Sequence, residues 1–241
     1  MSFLEDLRHG LPSRFSIRVS DDGSTPFERE RLAALIQSVQ QRPMHEGPVF
    51  LDPLFTLRNT GKGGAILRGW DVPGDAELVA FVDADGAVSA SEILRAEVAF
   101  RNTIQDALFA SRVKMLGRTV ERTLKRHLTG RVFATLVSNV GRIPAYDTQC
   151  GLKILLRSAF EKIRPHQQTL GFAFDVELCL LLRKCGFSII EFPVDWRDIP
   201  GSKVSLLRDS WRMAWEIFRI QRRVEALPAS PLRARENPGS Q

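Results

Sequence analysis

Short apolar runs that end on acidic turns and lead into helical stretches are the feature that most limits how this chain can fold. Leu78-Val79-Ala80-Phe81-Val82 is the sharpest case: five apolar residues run straight into Asp83-Ala84-Asp85-Gly86. An apolar run this short, bounded by a turn signal, reads as a strand buried on both faces. Phe15-Ser16-Ile17-Arg18-Val19 alternates like a half-buried strand and runs into Ser20-Asp21-Asp22-Gly23-Ser24. Pro26 then suits the first turn of a helix whose apolar face carries Leu32, Leu35, Ile36 and Val39. Val49 to Leu57 predicts a second strand, followed by Gly61-Lys62-Gly63-Gly64 and a short helix through Trp70.

The alternation continues along the chain. Ser89 to Phe100 reads as a helix with Ser89 or Ser91 as N-cap, and Ala107-Leu108-Phe109-Ala110 as a strand. Gly117 to about Val140 reads as a long basic helical region, Ile189 to Val194 as a strand, and Ser205 to Val224 as a closing helix. Strands alternating with helices predict an α/β fold, a mostly parallel sheet flanked by helices. Residues 1–225 would form one domain, and the Pro-, Ser- and Arg-rich segment 226–241 a disordered tail. Ligands of such sheets bind at the carboxyl ends of strands, where both acidic turns fall.

Composition narrows the partners less than the pattern does. The net charge of +6 suits an anionic partner, whether nucleic acid, an acidic membrane or a phosphorylated substrate. Nucleic acid is disfavoured, because the chain has a single tyrosine and no recognition motif. No stretch approaches the roughly 18 consecutive apolar residues of a spanning helix. The opening Met1-Ser2-Phe3-Leu4-Glu5-Asp6 has no signal-peptide pattern. Three cysteines, Cys150, Cys179 and Cys185, without a CxxC, read as reduced thiols in a cytoplasmic protein.

Asp83-Ala84-Asp85 sets two carboxylates on one tight turn. Their repulsion is relieved by a divalent cation with hard oxygen ligands, Mg²⁺ or Mn²⁺, which would also bridge to a diphosphate. A solvated turn with capping aspartates explains the triplet equally well. Asp21-Asp22-Gly23-Ser24-Thr25 reads either as nucleotide-binding carboxylates or as an Asx turn with a helix N-cap. Asn59-Thr60-Gly61-Lys62-Gly63-Gly64 suits a phosphate-cradling loop or a plain turn into a helix, and its spacing is not that of a P-loop.

Taken in order and spacing, these segments resemble the family-2 inverting glycosyltransferases of GT-A fold. The resemblance is to the branch that makes polyprenyl- and dolichyl-phosphate sugars, especially dolichyl-phosphate glucosyltransferase. It also rests on Ser111-Arg112, Asp147-Thr148-Gln149-Cys150-Gly151-Leu152-Lys153, Phe172-Ala173-Phe174-Asp175-Val176-Glu177-Leu178 and Gly201-Ser202-Lys203, and it spans Phe15 to Arg223. The resemblance implies that Asp21 and Asp22 contact the nucleotide, with Lys62 and Gly63 beside it. Asp83 would hold the ribose or metal, and Asp85 would be the main metal ligand. Ser111, Arg112, Gln149, Lys153 and Lys203 would face the sugar and acceptor phosphate. Asp85, Asp147 and Arg112 would be the catalytic set, with Asp147 positioning rather than acting as an obligatory base. Ala87 stands where mannosyl-transferring relatives often carry glutamine, as in the glucosyl branch.

The family's opening strand, of the pattern Val-Ile-Pro-Ala-Tyr-Asn-Glu, has no counterpart here, and Met1 to Arg14 resembles the helix that follows it. The expectation is therefore either a start further upstream or a shortened relative, a catalytically weak or inactive binding protein. If active, the chain would move a sugar from a UDP-glucose-like donor to a polyprenyl or dolichyl phosphate with inversion. The last helix pairs Trp211, Trp215 and Phe218 with Arg208, Arg212, Arg219, Arg222 and Arg223, a pattern suited to a core or to peripheral membrane contact at the inner face.

Overall fold

The structure, a computed structural model, describes residues 2–42, 46–113, 147–197 and 206–228, with the backbone alone for 206–214. Helix α1 (Phe3–Gly10) precedes two short strands, β1 (Ser16–Ile17) and β2 (Ser20–Asp21), and helix α2 (Pro26–Gln40). Strands β3 (Val49–Phe50) and β4 (Leu54–Phe55), helix α3 (Lys62–Trp70), strand β5 (Leu78–Val82), helix α4 (Ala90–Arg101) and strand β6 (Ala107–Ser111) follow. Strand β7 (Leu152–Leu156) leads into α5 (Arg157–Ile163), and α6 (Phe174–Lys184), β8 (Ile189–Pro193) and α7 (Leu206–Glu225) follow among the described residues. The predicted basic helix at 117–140, the Lys203 loop and the tail beyond 228 lie outside the described residues.

Side-chain alternation on the strands explains why two helical layers form. Ala107 and Phe109 of β6 face one buried cluster with Leu155 of β7, Leu67 and Trp70 of α3, and helices α5, α6 and α7. Leu108 and Ala110, with Leu152 and Ile154, face a second cluster built on α1, α2 and α4. Successive residues of a strand point to opposite faces, so one apolar strand supplies both cores. Every residue of β6 is buried, in keeping with the apolar run Ala107 to Ala110, and Ser111 ends the strand as a buried polar residue.

The four-stranded sheet has the order β5-β7-β6-β8. β6 and β8 are parallel, but β7 runs against both of its neighbours, so this sheet is mixed. β1 pairs with β3 and β2 with β4, both parallel, as ladders separate from the larger sheet. The predicted strands at 15–19 and 49–57 are each interrupted. Register moves from Ile17↔Phe50 to Ser20↔Leu54, one residue more on the second strand, and Pro53 inside that gap has no N–H to donate.

N-caps stand at both helix starts where a cap was expected, with Ser89 rather than Ser91 at α4. Thr25 and Glu28 form a reciprocal capping box at the start of α2, with Pro26 in its first turn. Ser89 caps α4, and Asp6 of α1 accepts the Ala90 N–H at 2.8 Å, so α1 reinforces the same helix end. Ile36 and Val39 bury the face of α2, whereas Leu35 is exposed. No helix among the described residues is long and apolar enough to cross a membrane.

Candidate active site

β5 carries its apolar side chains up to Val82 and then presents Asp83. The backbone N–H of Asp83 donates to the Gly151 carbonyl at 2.8 Å, which fixes this strand end against the turn entering β7. Asp85 is exposed, and its Oδ1 accepts the Ala87 N–H at 2.9 Å in an Asx turn. Its Oδ2 accepts no hydrogen bond among the described residues. The turn reading of the triplet is thus met in Asp85, whose Oδ1 closes the turn.

Asp83 is held differently. Lys62, the first residue of α3, places Nζ 3.1 Å from Asp83 Oδ1 and 3.4 Å from Oδ2. The same ammonium lies 3.3 Å from Asp175 Oδ2, and Asp175 Oδ1 lies 2.9 Å from Lys153 Nζ. Opposite charges thus alternate from the strand end into the interior: Asp83, Lys62, Asp175, Lys153. Burial disfavours the charged form of Lys62, but Asp175 and Asp83 outweigh it and hold its pKa above the ordinary 10.5.

Lys153, expected on the acceptor-phosphate side, is instead completely buried. It stands between its cross-strand neighbours Phe81 and Phe109, with Nζ 5.2 and 5.0 Å from their ring centres, and donates to the Cys150 carbonyl at 2.8 Å. Odd-numbered residues of β7 face the layer that α6 covers, which sends this lysine inward to Asp175 rather than out to a ligand.

Asp21 and Asp22 divide their tasks. Asp21 Oδ1 accepts the Gly23 and Ser24 N–H groups, the Asx turn anticipated as one alternative. Burial raises its pKa, but those hydrogen bonds and Arg29 bring it below the ordinary value. Asp22 holds the glycine-rich loop: Oδ1 accepts the Thr60 N–H and hydroxyl at 2.9 and 2.7 Å, and Oδ2 accepts the Gly61 N–H at 2.6 Å. The Gly64 N–H donates to the Leu170 carbonyl. Three of the loop's N–H groups, those of Thr60, Gly61 and Gly64, are therefore taken within the protein. A Cβ on Gly63 would meet Phe174 at 2.7 Å, and one on Gly64 would meet Thr60 Oγ1 at 2.2 Å. These glycines are required by close packing of the loop against α6 and its own strand of chain.

At the carboxyl end of β6, Ser111 is buried and its hydroxyl has no hydrogen-bond partner among the described residues. Arg112 grips Asp147 with both ends of its fork, Nε to Oδ2 at 2.6 Å and a terminal nitrogen to Oδ1 at 2.8 Å, while its backbone N–H also reaches Oδ2. Burial pushes the Asp147 pKa up, and Arg112 more than reverses this, leaving it below the ordinary 3.8. The Arg112 guanidinium also lies 5.5 Å from the Trp196 ring centre. Gln149 turns its amide to the Phe172 carbonyl at 3.1 Å.

Asp175 and Gly151 are positions of the candidate site that sequence reasoning left without a role. Both fall in quoted motif segments, yet only the fold reveals that Asp175 joins two lysines 91 positions apart (Lys62 and Lys153). Glu177, also buried, accepts from Gln167, the Gln168 and Thr169 N–H groups, and Arg223 of α7. It pins the loop 167–173 that borders the glycine-rich segment.

Among the described residues no group of three or more His, Cys, Asp or Glu could hold a metal ion. Asp83 and Asp85 nonetheless fit a hard cation that takes one or two protein carboxylates and completes its shell with substrate phosphates and water.

No family model matches the chain. Over 234 residues it is 30% identical to the dolichyl-phosphate beta-glucosyltransferase of Saccharomyces cerevisiae, covering 92% of this chain and 67% of that protein. The protein of the same name in Dictyostelium discoideum is 29% identical over 90% of this chain and 65% of its own length. Glycosyltransferase AglD of Haloferax volcanii is 31% identical over 90% of this chain, which spans only 33% of that protein. Among solved structures, glucosyl-3-phosphoglycerate synthase of Mycobacterium tuberculosis in complex with UDP has a similar fold (TM-score 0.55, 12% identity, 89% of this chain and 70% of that one). By these relatives and this fold, the chain belongs to the dolichyl-phosphate β-glucosyltransferase family of GT-A glycosyltransferases.

Proposed function

We propose that this chain transfers a hexose from a UDP-glucose-like nucleotide sugar to the phosphate of a dolichyl or polyprenyl phosphate, with inversion at the anomeric carbon. The observation that carries this reading is the turn at the end of β5, where Asp83 is already paired with Lys62 while Asp85 keeps one carboxylate oxygen open. Asp83 and Asp85 would hold Mg²⁺ or Mn²⁺, which when bound supplies charge stabilisation to the departing nucleoside diphosphate. Lys62 orients Asp83, and Asp175 holds Lys62 from behind.

The acceptor needs little base catalysis. A phosphate monoester loses its second proton at about pH 6, so near neutrality its oxygen is already a nucleophile. Asp147, paired with Arg112 and ionised, is suited to fixing Arg112 rather than to removing a proton. Arg112, held in place by Asp147, would orient an acceptor or donor phosphate at the end of β6. Ser111, Gln149 and Lys203 complete that side of the proposal. A lipid acceptor also brings the protein to a membrane surface, as a peripheral protein at its cytoplasmic face.

The test is transfer of labelled glucose from UDP-glucose to polyprenyl phosphate in the presence of Mn²⁺, with chelator as control. Asp85→Ala is expected to abolish transfer and to leave the fold intact. Full activity in that variant would remove Asp85 from the mechanism. Tight metal-dependent donor binding without turnover would instead point to the binding-protein alternative.

A further inference from the structure

The last helix presents a second face that the core does not use. Ile217, Ile220 and Val224 of α7 are buried against the sheet. At about 100° per residue, Trp215, Phe218, Arg219 and Arg222 fall at i, i+3, i+4 and i+7 on the side opposite that core face. All four are exposed, Trp215 by 56% and Phe218 by 47%. Each arginine lies by an aromatic ring one turn earlier: Arg219 is 5.8 Å from the Trp215 ring centre and Arg222 is 5.9 Å from that of Phe218. Neither arginine has a carboxylate partner among the described residues.

The geometry points to an anionic lipid headgroup layer as the occupant of this face, so that α7 lies flat on the membrane that carries the acceptor. The chemistry matches at each position. Trp and Phe present broad apolar rings that favour the boundary between headgroups and acyl chains. Arginine offers a planar fork to phosphate oxygens, and the +6 net charge of the chain draws it toward a negative surface. A protein partner is a poorer match: a stable protein–protein interface takes roughly 20 to 30 residues a side, and among the described side chains this stripe has four.

The position of α7 relates this contact to the proposed site. Arg223, on the flank of the stripe, reaches Glu177 and lies 3.4 Å from Thr169, at the loop whose Leu170 carbonyl accepts from Gly64. A helix laid on the membrane through Trp215 and Phe218 therefore holds the glycine-rich loop near the lipid surface. The inference rests on the lipid-acceptor reading for its purpose, but membrane contact can be measured without any substrate.

The experiment is co-sedimentation of the full chain with phosphatidylcholine vesicles, with and without phosphatidylglycerol, in the absence of donor and acceptor. Binding is expected only with phosphatidylglycerol, and it should fall as salt is raised. Arg219→Gln with Arg222→Gln, and separately Trp215→Ala with Phe218→Ala, should each weaken partition on the order of tenfold. All four side chains are exposed, so circular dichroism should show both pairs folded like the parent. Turnover is then compared on a water-soluble short-chain polyprenyl phosphate and on the same headgroup in vesicles. The variants should lose activity only on vesicles. Equal vesicle binding by parent and variants would overturn the inference, as would a concentration-dependent dimer that the substitutions abolish. Loss of turnover on both acceptors by the parent itself would overturn the transfer reading and leave the membrane contact standing.

Discussion

Gly151 packs directly on Asp83: a Cβ at position 151 would lie 2.3 Å from Asp83 Oδ2. No side chain can share that space, so the small residue at the start of β7 decides where the first aspartate of the acidic turn points. Gly151→Ala is expected to push Asp83 off Lys62 and to misplace the turn by a fraction of an ångström or more. Displacements of about 1 Å near reacting groups cost up to roughly 100-fold in rate. Steady-state kinetics should register a 10- to 100-fold loss in turnover with a small change in melting temperature. A variant with parental kinetics would mean that the turn tolerates the shift and that Asp83 is not held by this contact.

Asp85→Asn separates the turn from the chemistry. The amide oxygen can still accept the Ala87 N–H, so the Asx turn survives, and an exposed side chain of this kind changes stability by less than about 1 kcal/mol. The outward-facing charge disappears. Transfer should fall on the order of a thousandfold at fixed Mn²⁺, as when a single electrostatic stabiliser of a leaving group is lost. A parallel thermal melt should overlay that of the parent. If activity and stability fall together, the residue serves the fold instead.

The contrast between these two aspartates explains what the sequence made legible. β5 and its acidic end were readable as strand and turn because a five-residue apolar run allows little else, but the expected burial on both faces was not met: β5 lies at the edge of the described sheet, where Ala80 is exposed and only Val79 is buried. The Ser89 cap followed from residue type. The side on which Lys153 points was not readable. Its motif neighbours suggested a ligand contact, whereas strand alternation and the position of α6 send it inward to Asp175. Burial of a lysine depends on a carboxylate from a distant segment, and no local pattern encodes that meeting. The reversed direction of β7 was hidden for the same reason: alternation of strands and helices does not record which neighbour a strand will choose. Gly63 and Gly64 were read as room for phosphate, and the packing of Phe174 and Thr60 supplies another use for the same room.

Lys153 and Asp175 make a prediction about stability. Both are essentially unexposed and 2.9 Å apart, and the contact is one of opposite charges rather than of aligned donor and acceptor. Asp175→Asn strands the Lys153 ammonium between two aromatic rings and also loosens Lys62. Breaking a buried pair from one side costs about 3–5 kcal/mol. Urea unfolding of Asp175→Asn should show a loss of that size. Adding Lys153→Met, which removes the stranded charge and keeps the volume, should recover part of it. Additive losses in the double variant would show that the two groups are not coupled.

The cysteines should be quiet. Burial pushes Cys150 and Cys179 up to about 11, and Cys185, half-buried, is raised as well. At pH 8 a thiol with such a pKa is ionised to about one part in a thousand, and the thiolate is the reactive form. A chromogenic disulfide reagent should titrate at most Cys185 in the native protein and all three cysteines in denaturant. Rapid native modification of Cys150 would mean that the turn between Asp147 and Gly151 opens in solution, contrary to its packing.

Arg112 and Asp147 set the acid limit of the fold, while the acceptor sets that of the reaction. Asp147 is buried, which raises its pKa, but Arg112 brings it below the ordinary 3.8. A carboxylate with a depressed folded-state pKa contributes stability that is present above the unfolded value and is lost as pH falls through the folded one. Glu97, paired with Arg14 and Arg101, is likewise held below its ordinary 4.5 and acts in the same direction. The melting temperature should therefore hold steady near neutrality and drop only below these values. In Arg112→Gln, Asp147 keeps its burial and loses its cation, so its pKa rises and the drop begins at higher pH. Turnover should behave differently, declining around pH 6 as the acceptor phosphate takes up its second proton, well before the fold is affected. Replacing the acceptor by a phosphonate with a higher second pKa should move the kinetic limb upward and leave the melting profile where it was. A kinetic limb that ignores the acceptor and follows Arg112→Gln would assign the titration to Asp147 and make it the base.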